Sequence, residues 1–309
     1  MQSKTFTYND QDNIEIFTYK WEPEIKPIAV VQFSHGMAEH AARYERVAKA
    51  FCNAGIVCYA DDHRGHGKSI VDDQKGYLGP NGWKGAVDSI HELTKLIKNE
   101  HPDLPVFLVA HSWGSLMAQD YIQQWGEELT GCVLSGTAGA INPILKTLAK
   151  IIMKIATIKN GDVKPSKIGH KLVFEGNNKP WDSKDATGVE WLSRDDEERK
   201  KYIDDPLCGF ITATSFYAEL NKGIGKIWNK KNEKQIPIEL PIFFIAGSED
   251  PVGDKTKSIK KLINRYEKYG LKDITSKFYE EARHEVFNET NREEIIQDVL
   301  NWILNHISS

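Results

Sequence analysis

The sequence predicts an α/β protein: a mostly parallel central sheet with helices on both faces and one inserted helical cap. Two observations carry this. Short continuous apolar runs at residues 28–33, 56–60, 131–135 and 240–247 read as strands buried on both faces, and longer stretches between them place apolar residues at helical spacing. Helix alternating with strand implies right-handed crossovers and parallel pairing. The alternation then stops over 138–236, so this range is expected to be the inserted cap, with 1–137 and 237–309 forming the core.

Residues 5–8 and 14–21 read as a hairpin around the turn cluster 9–13, an antiparallel start to the sheet. Pro27 precedes the strand at 28–33, which runs into Ser34-His35-Gly36-Met37-Ala38-Glu39-His40, and a helix is expected near 41–52. A glycine where a buried strand ends lets the backbone turn its N–H groups toward a ligand. The strand at 56–60 leads into Asp62-His63-Arg64-Gly65-His66-Gly67-Lys68-Ser69, a loop in which Arg64 and the histidines are expected to brace neighbouring loops. Residues 83–98 read as an amphipathic helix with Ala86, Val87, Ile90, Leu93 and Ile97 on one face.

Residues 106–116, Val-Phe-Leu-Val-Ala-His-Ser-Trp-Gly-Ser-Leu, read as a buried strand that breaks into a helix at Ser112. So abrupt a turn strains the serine backbone and needs small residues on either side, here Ala110 and Gly114. It also places the hydroxyl near a helix N-terminus, where N–H groups favour developing negative charge. The alternative is that Ser112 caps an ordinary helix. Two later groups bear on the choice. Asp250 follows the strand at 240–247, with Glu249 and Asp254 as nearby alternatives, and His284 lies between the last strand at 274–279 and the final amphipathic helix at 293–307. A carboxylate holding an imidazole in the useful tautomer, and that imidazole facing a hydroxyl, is what nucleophilic acyl transfer requires.

The strings His35-Gly36-Met37-Ala38-Glu39-His40, Asp62 to Ser69 and Ala110-His111-Ser112-Trp113-Gly114 resemble the monoacylglycerol lipase and lysophospholipase branch of the α/β-hydrolases, grouped with S33-type serine aminopeptidases. The resemblance covers nearly the whole chain. It departs at Ala110 and Ser115, where the family's elbow carries glycine. It implies an α/β-hydrolase fold, a triad in the order Ser112, Asp250, His284, and an oxyanion hole from the Met37 and Trp113 N–H groups, with His35, Gly36, Arg64 and His66 supporting them. The expected activity is hydrolysis of single-chain acyl esters without metal or organic cofactor. The alternatives are a peptidase or thioesterase with the same triad, or a silent binder of acyl ligands.

Within the insert, Ile144, Leu145, Leu148, Ile151, Ile152, Ile155 and Ile158 share one helical face and Lys146, Lys150, Lys154 and Lys159 the other. Packing of the apolar face on the hydrolase core or along the acyl pocket is the preferred reading, and transient contact with an anionic membrane surface is compatible with it. Trp181, Trp191 and Phe210 suit an acyl pocket or plain core.

Composition narrows the remaining classes. At 309 residues with 40% hydrophobic and 27% charged content the chain is an ordinary globular one, and its net charge of -4 argues against a nucleic-acid partner. The first ten residues lack the apolar centre of a signal peptide and no run spans a bilayer, so a cytoplasmic protein, at most peripheral to the membrane, is expected. Cys52, Cys58, Cys132 and Cys208 lack disulfide or zinc spacing, and His35 and His40 have no further ligands at suitable spacing, so no metal is expected. Oligomeric state is not legible.

Overall fold

A computed structural model of the chain describes residues 1–140, 161–174 and 176–307, together with Ile152 and Thr157. The segment 144–159, read above as a basic amphipathic helix, lies outside the described residues except at those two positions.

Eight strands form one sheet: β1 (Gln2–Asn9), β2 (Glu15–Glu22), β3 (Ala29–Ser34), β4 (Ile56–Asp61), β5 (Val106–His111), β6 (Gly131–Ser135), β7 (Ile242–Gly247) and β8 (Ile274–Tyr279). Their spatial order is β1-β2-β4-β3-β5-β6-β7-β8. The first two pairings are antiparallel and all the others parallel, as the opening hairpin and the later strand–helix alternation led one to expect. The hairpin joins β4 rather than the next strand in sequence, β3, which moves β3 and β5 to the middle of the sheet.

Successive strand residues point to opposite faces, and here each face meets helices. Val31, Phe107, Val109 and Phe243 pack with Val47 and Phe51 of α1 (Glu45–Asn53) and with Ile295, Val299 and Trp302 of the C-terminal helix Arg292–Ile307. Their neighbours Val30, Leu108, Leu134 and Phe244 pack on the other face against α2 (Gly82–Glu100), α3 (Trp113–Trp125) and residues Ile259, Leu262 and Tyr266 of the helix Lys257–Lys268. Each large side chain so removed from water contributes about 1.5–3 kcal/mol, which is why these strands read as unbroken apolar runs.

Between β6 and β7 the described chain holds α4 (Lys167–Phe174), α5 (Asp196–Asp204), α6 (Thr214–Ile227) and the short α7 (Lys230–Glu233). Of these, α6 packs on α2 and α3 and contributes Phe216, Tyr217 and Ile227 to the main core. Trp191, Leu192, Tyr202 and Cys208 form a small cluster of their own. No helix among the described residues is long and apolar enough to cross a membrane.

The parallel register sets the strand ends level. Ser34 lies opposite Ala110, His111 opposite Ser135, and Gly247 opposite Tyr279. The loops after β3, β5, β7 and β8 therefore leave from one edge, the carboxyl edge where open parallel sheets form their sites.

Candidate active site

The turn after β5 is the tightest of these. Ser112 has φ 52 and ψ -121, a conformation costing about 1–3 kcal/mol for a residue with a side chain. Its surroundings hold it there. The Ser112 N–H donates to the Ser135 carbonyl at 2.9 Å, while the Ser112 carbonyl accepts from the Leu116 N–H at 3.1 Å and from the Ser115 hydroxyl at 2.5 Å. Ser115, one of the two departures from the family pattern, thus adds a bond that glycine lacks. Gly114 is required by space: a Cβ there would stand 2.4 Å from the carbonyl oxygens of Ser34 and His35. This contact lets α3 start directly against the end of β3.

His284 and Asp250 come to the same place from the loops after β8 and β7. His284 Nε2 lies 2.8 Å from Ser112 Oγ, and His284 Nδ1 lies 3.0 Å from each Asp250 carboxylate oxygen. Both side chains are buried. The Val252 N–H donates to Asp250 Oδ1 at 2.9 Å and fixes the carboxylate in turn. Burial pushes the His284 imidazole down, but the Asp250 charge and hydrogen bond, with Glu285 and Glu39 beyond, outweigh it and hold its pKa above the ordinary histidine value. Neither alternative carboxylate reaches: Glu249 pairs with Lys255 at the surface and Asp254 is exposed.

Trp113 follows the serine in the chain, and Met37 lines the same cavity. Trp113 opens α3, so its N–H has no partner within the helix, and among the described residues no loop carbonyl accepts either N–H. The loop holding Met37 is braced from behind. The Gly36 N–H donates to Glu39 Oε1 at 2.6 Å, and His35 Nδ1 lies 2.7 Å from the Gly36 carbonyl while its Nε2 accepts the His63 N–H at 2.9 Å. His35 is therefore neutral with its proton on Nδ1, in keeping with a pKa that burial and the neighbouring His63 and His66 drive well below normal. The His66 ring stacks on Trp113 at 5.0 Å, and burial pushes its pKa down to about 3. Arg64 stands apart. Its guanidinium turns away to Asp10 at 2.6 Å and Asp12 at 2.8 Å, tying the loop to the β1–β2 turn.

Three groups here escaped the sequence reading. Arg43 donates to Glu39 at 2.5 Å and to both carboxylate oxygens of Glu285, at 2.8 and 2.6 Å. Burial works against the Glu285 carboxylate, yet Arg43 holds its pKa down to about 2. No local pattern announces a partnership across 242 positions, although Glu285 adjoins His284. His111 is also buried, its ring 4.8 Å from that of His284, and burial together with His284 pushes its pKa down to about 4. A cavity of about 320 Å³ opens onto Ser112, lined largely by apolar side chains that include Leu116, Phe174, Trp191, Leu220, Ile224, Trp228 and Val252. Trp191 lies with its ring 5.0 Å from that of His284, and its carbonyl accepts the His284 N–H at 3.2 Å, so the insert touches the imidazole directly.

A hydroxyl, a base and a buried carboxylate in series, beside two N–H groups and an apolar cavity, can perform acyl transfer through a covalent intermediate. Comparison with known proteins points the same way. Residues 25–291 match the serine aminopeptidase S33 profile. A monoacylglycerol lipase of Mycolicibacterium smegmatis is 29% identical over 93% of this chain and 92% of its own length. A monoglyceride lipase homolog of Monkeypox virus is 28% identical over 96% of both. Among solved structures, a thermostable carboxyl esterase from Bacillus coagulans in complex with glycerol superposes with a TM-score of 0.90 at 26% identity, covering 99% of each chain.

The Arg43 network makes a direct prediction. Glu39, Arg43 and Glu285 have side chains 4%, 13% and 7% exposed, so Arg43→Met leaves two carboxylates buried without their cation. Urea denaturation of this variant is expected to show a loss of about 3–5 kcal/mol. A loss below 1 kcal/mol would contradict the description of these charges as mutually dependent.

Proposed function

The chain belongs to the serine aminopeptidase S33 family of α/β-hydrolases, and on that premise we propose that it cleaves carboxylic esters of single-chain acyl lipids, a monoacylglycerol or lysophospholipid, with Ser112 as nucleophile, His284 as base and Asp250 as its orienting partner. The observation that carries this reading is the unbroken series from Ser112 Oγ through the His284 ring to Asp250, set at the mouth of the apolar cavity.

In this reading the Ser112 proton passes to His284 Nε2 as the oxygen bonds to the acyl carbon. The Met37 and Trp113 N–H groups receive the oxyanion, and Asp250 stabilises the imidazolium and keeps the Nδ1 proton in place. Collapse of the tetrahedral species expels the alcohol, which takes the proton from His284. Water then enters, loses a proton to the same nitrogen, and releases the fatty acid and the serine. No step calls on a cofactor.

The cavity wall supports an acyl chain over a peptide. Among the described residues its acidic side chains are Glu39 and Glu285, and both are occupied by Arg43, so neither is free to hold the ammonium of an aminopeptidase substrate. We assign 138–236 to the cap, with α6 as its root on the core and the region around Trp191 as its contact with the imidazole. Four buried free cysteines suit a cytoplasmic setting.

Two measurements test the proposal. Hydrolysis of p-nitrophenyl esters of increasing chain length is expected to favour medium or long chains, and Ser112→Ala is expected to lose turnover by about 10⁴-fold or more with an unchanged melting temperature. Activity confined to acetate would contradict the lipid assignment, and undiminished activity in the variant would contradict the nucleophile. The pH profile follows from the neutral His284 that the mechanism requires. Since its pKa is raised, kcat/KM should fall on acidification through an apparent pKa above that of a free imidazole. Asp250→Asn removes the principal raising influence, so in whatever activity remains this limb should move to lower pH. A limb that stays in place in this variant would separate His284 from Asp250.

A further inference from the structure

Apart from the proposed catalytic groups, one set of ligand-type side chains gathers among the described residues. The ligand atoms of His40, Asp205 and Cys208 all lie within 4.8 Å of one another. His40 belongs to the loop that carries Met37, whereas Asp205 and Cys208 belong to the insert. We propose that these three side chains form a binding site for a divalent cation of the zinc type, one that ties the insert to the loop carrying Met37.

Imidazole, carboxylate and thiolate are the donors zinc takes, and its bond lengths set tetrahedral edges of about 3.3–3.6 Å, within reach of small side-chain rotations. His40 Nε2 already faces Asp205 Oδ2 at 2.9 Å. Nε2–H donates to that carboxylate, while the buried Nδ1 has no hydrogen-bond partner; on binding, the ring proton would shift to Nδ1 and free the Nε2 lone pair for the cation. The Asp205 side chain is 31% exposed and supplies the way in. Charge favours a cation too. Asp205 brings a carboxylate of its own, and the Arg43 guanidinium is already committed to Glu39 and Glu285. On binding, the Cys208 proton leaves to solvent as the metal–sulfur bond forms, and water completes the fourth position.

The site has a physical consequence for the loop. Ala38 has φ 55, and its carbonyl accepts the Gly209 N–H at 2.9 Å and the Tyr202 hydroxyl at 3.3 Å. The insert thus already grips a strained residue next to Met37, and a metal bridging His40 to Asp205 and Cys208 would reinforce that grip. His40 has no further ligand at local spacing in the sequence; the fold supplies both from 165 positions or more away.

The test uses the tag-free, chelator-treated full chain. Cobalt(II) is expected to bind with one equivalent and give a thiolate-to-metal charge-transfer band, absent in Cys208→Ser. Zinc affinity, measured by competition with a chromophoric chelator, should fall by about tenfold or more in Cys208→Ser and in Asp205→Asn, and zinc should raise the melting temperature of the wild type but not of these variants. Should Cys208→Ser fail to fold, Asp205→Asn and the wild-type cobalt spectrum decide. Absence of a thiolate band in the wild type, or zinc affinity equal in wild type and Asp205→Asn, would overturn the proposal. Ser112→Ala should bind metal as the wild type does, so the outcome is independent of ester hydrolysis.

Discussion

The structure depends most on the close approach of backbone at the elbow, where Gly114 lies against the carbonyl oxygens of Ser34 and His35. Space for no side chain at that point lets α3 begin at the end of β3 and leaves Ser112 in a conformation it would not otherwise keep. The strain is carried by the middle of the sheet. β5 lies between β3 and β6, and the Ser112 N–H is bonded to the last residue of β6. A turn of this kind on an edge strand would have fewer bonds to oppose relaxation. Because the parallel strands end level, the same edge that exposes the serine also receives Asp250 and His284 from β7 and β8.

Around this point the chain arranges its charges by burial. His35, His66 and His111 are kept neutral, their pKa values pushed down by burial, while His284 alone among them is raised by a carboxylate. Four histidines near one serine therefore differ in role through their surroundings. The neutral ones pack as polar aromatic rings that fix loop geometry, and His284 is the one whose protonation a neighbouring charge stabilises. Glu39, Arg43 and Glu285 form a second charge group at the edge of the cavity, where Arg43 occupies both carboxylates and the rest of the wall is largely apolar.

The parts legible in the sequence are those that a local pattern marks. Ser112 directly follows the apolar strand β5, and Asp250 and His284 lie in the loops that leave β7 and β8 at the same edge, so the pattern that reveals each strand also points to its residue. Ala110 and Gly114 mark the elbow because the turn demands small neighbours. What could not be read are pairings between distant segments. Nothing in the local pattern aims Arg43 at Glu285, gathers His40 with Asp205 and Cys208, or turns Arg64 toward Asp10 instead of the elbow. The placement of β4 between β2 and β3 was hidden for the same reason, since hydrophobic pattern specifies burial of a strand and not its neighbour.

Every step of the proposed ester hydrolysis depends on activation of the Ser112 hydroxyl by His284. Labelling the folded protein with a fluorophosphonate and locating the adduct by peptide mass spectrometry tests this without assuming any substrate. A single adduct on Ser112 is expected, forming rapidly in the wild type and suppressed in a folded His284→Ala variant. No adduct in folded wild-type protein, or labelling of Ser112 that is equally fast without His284, would contradict it.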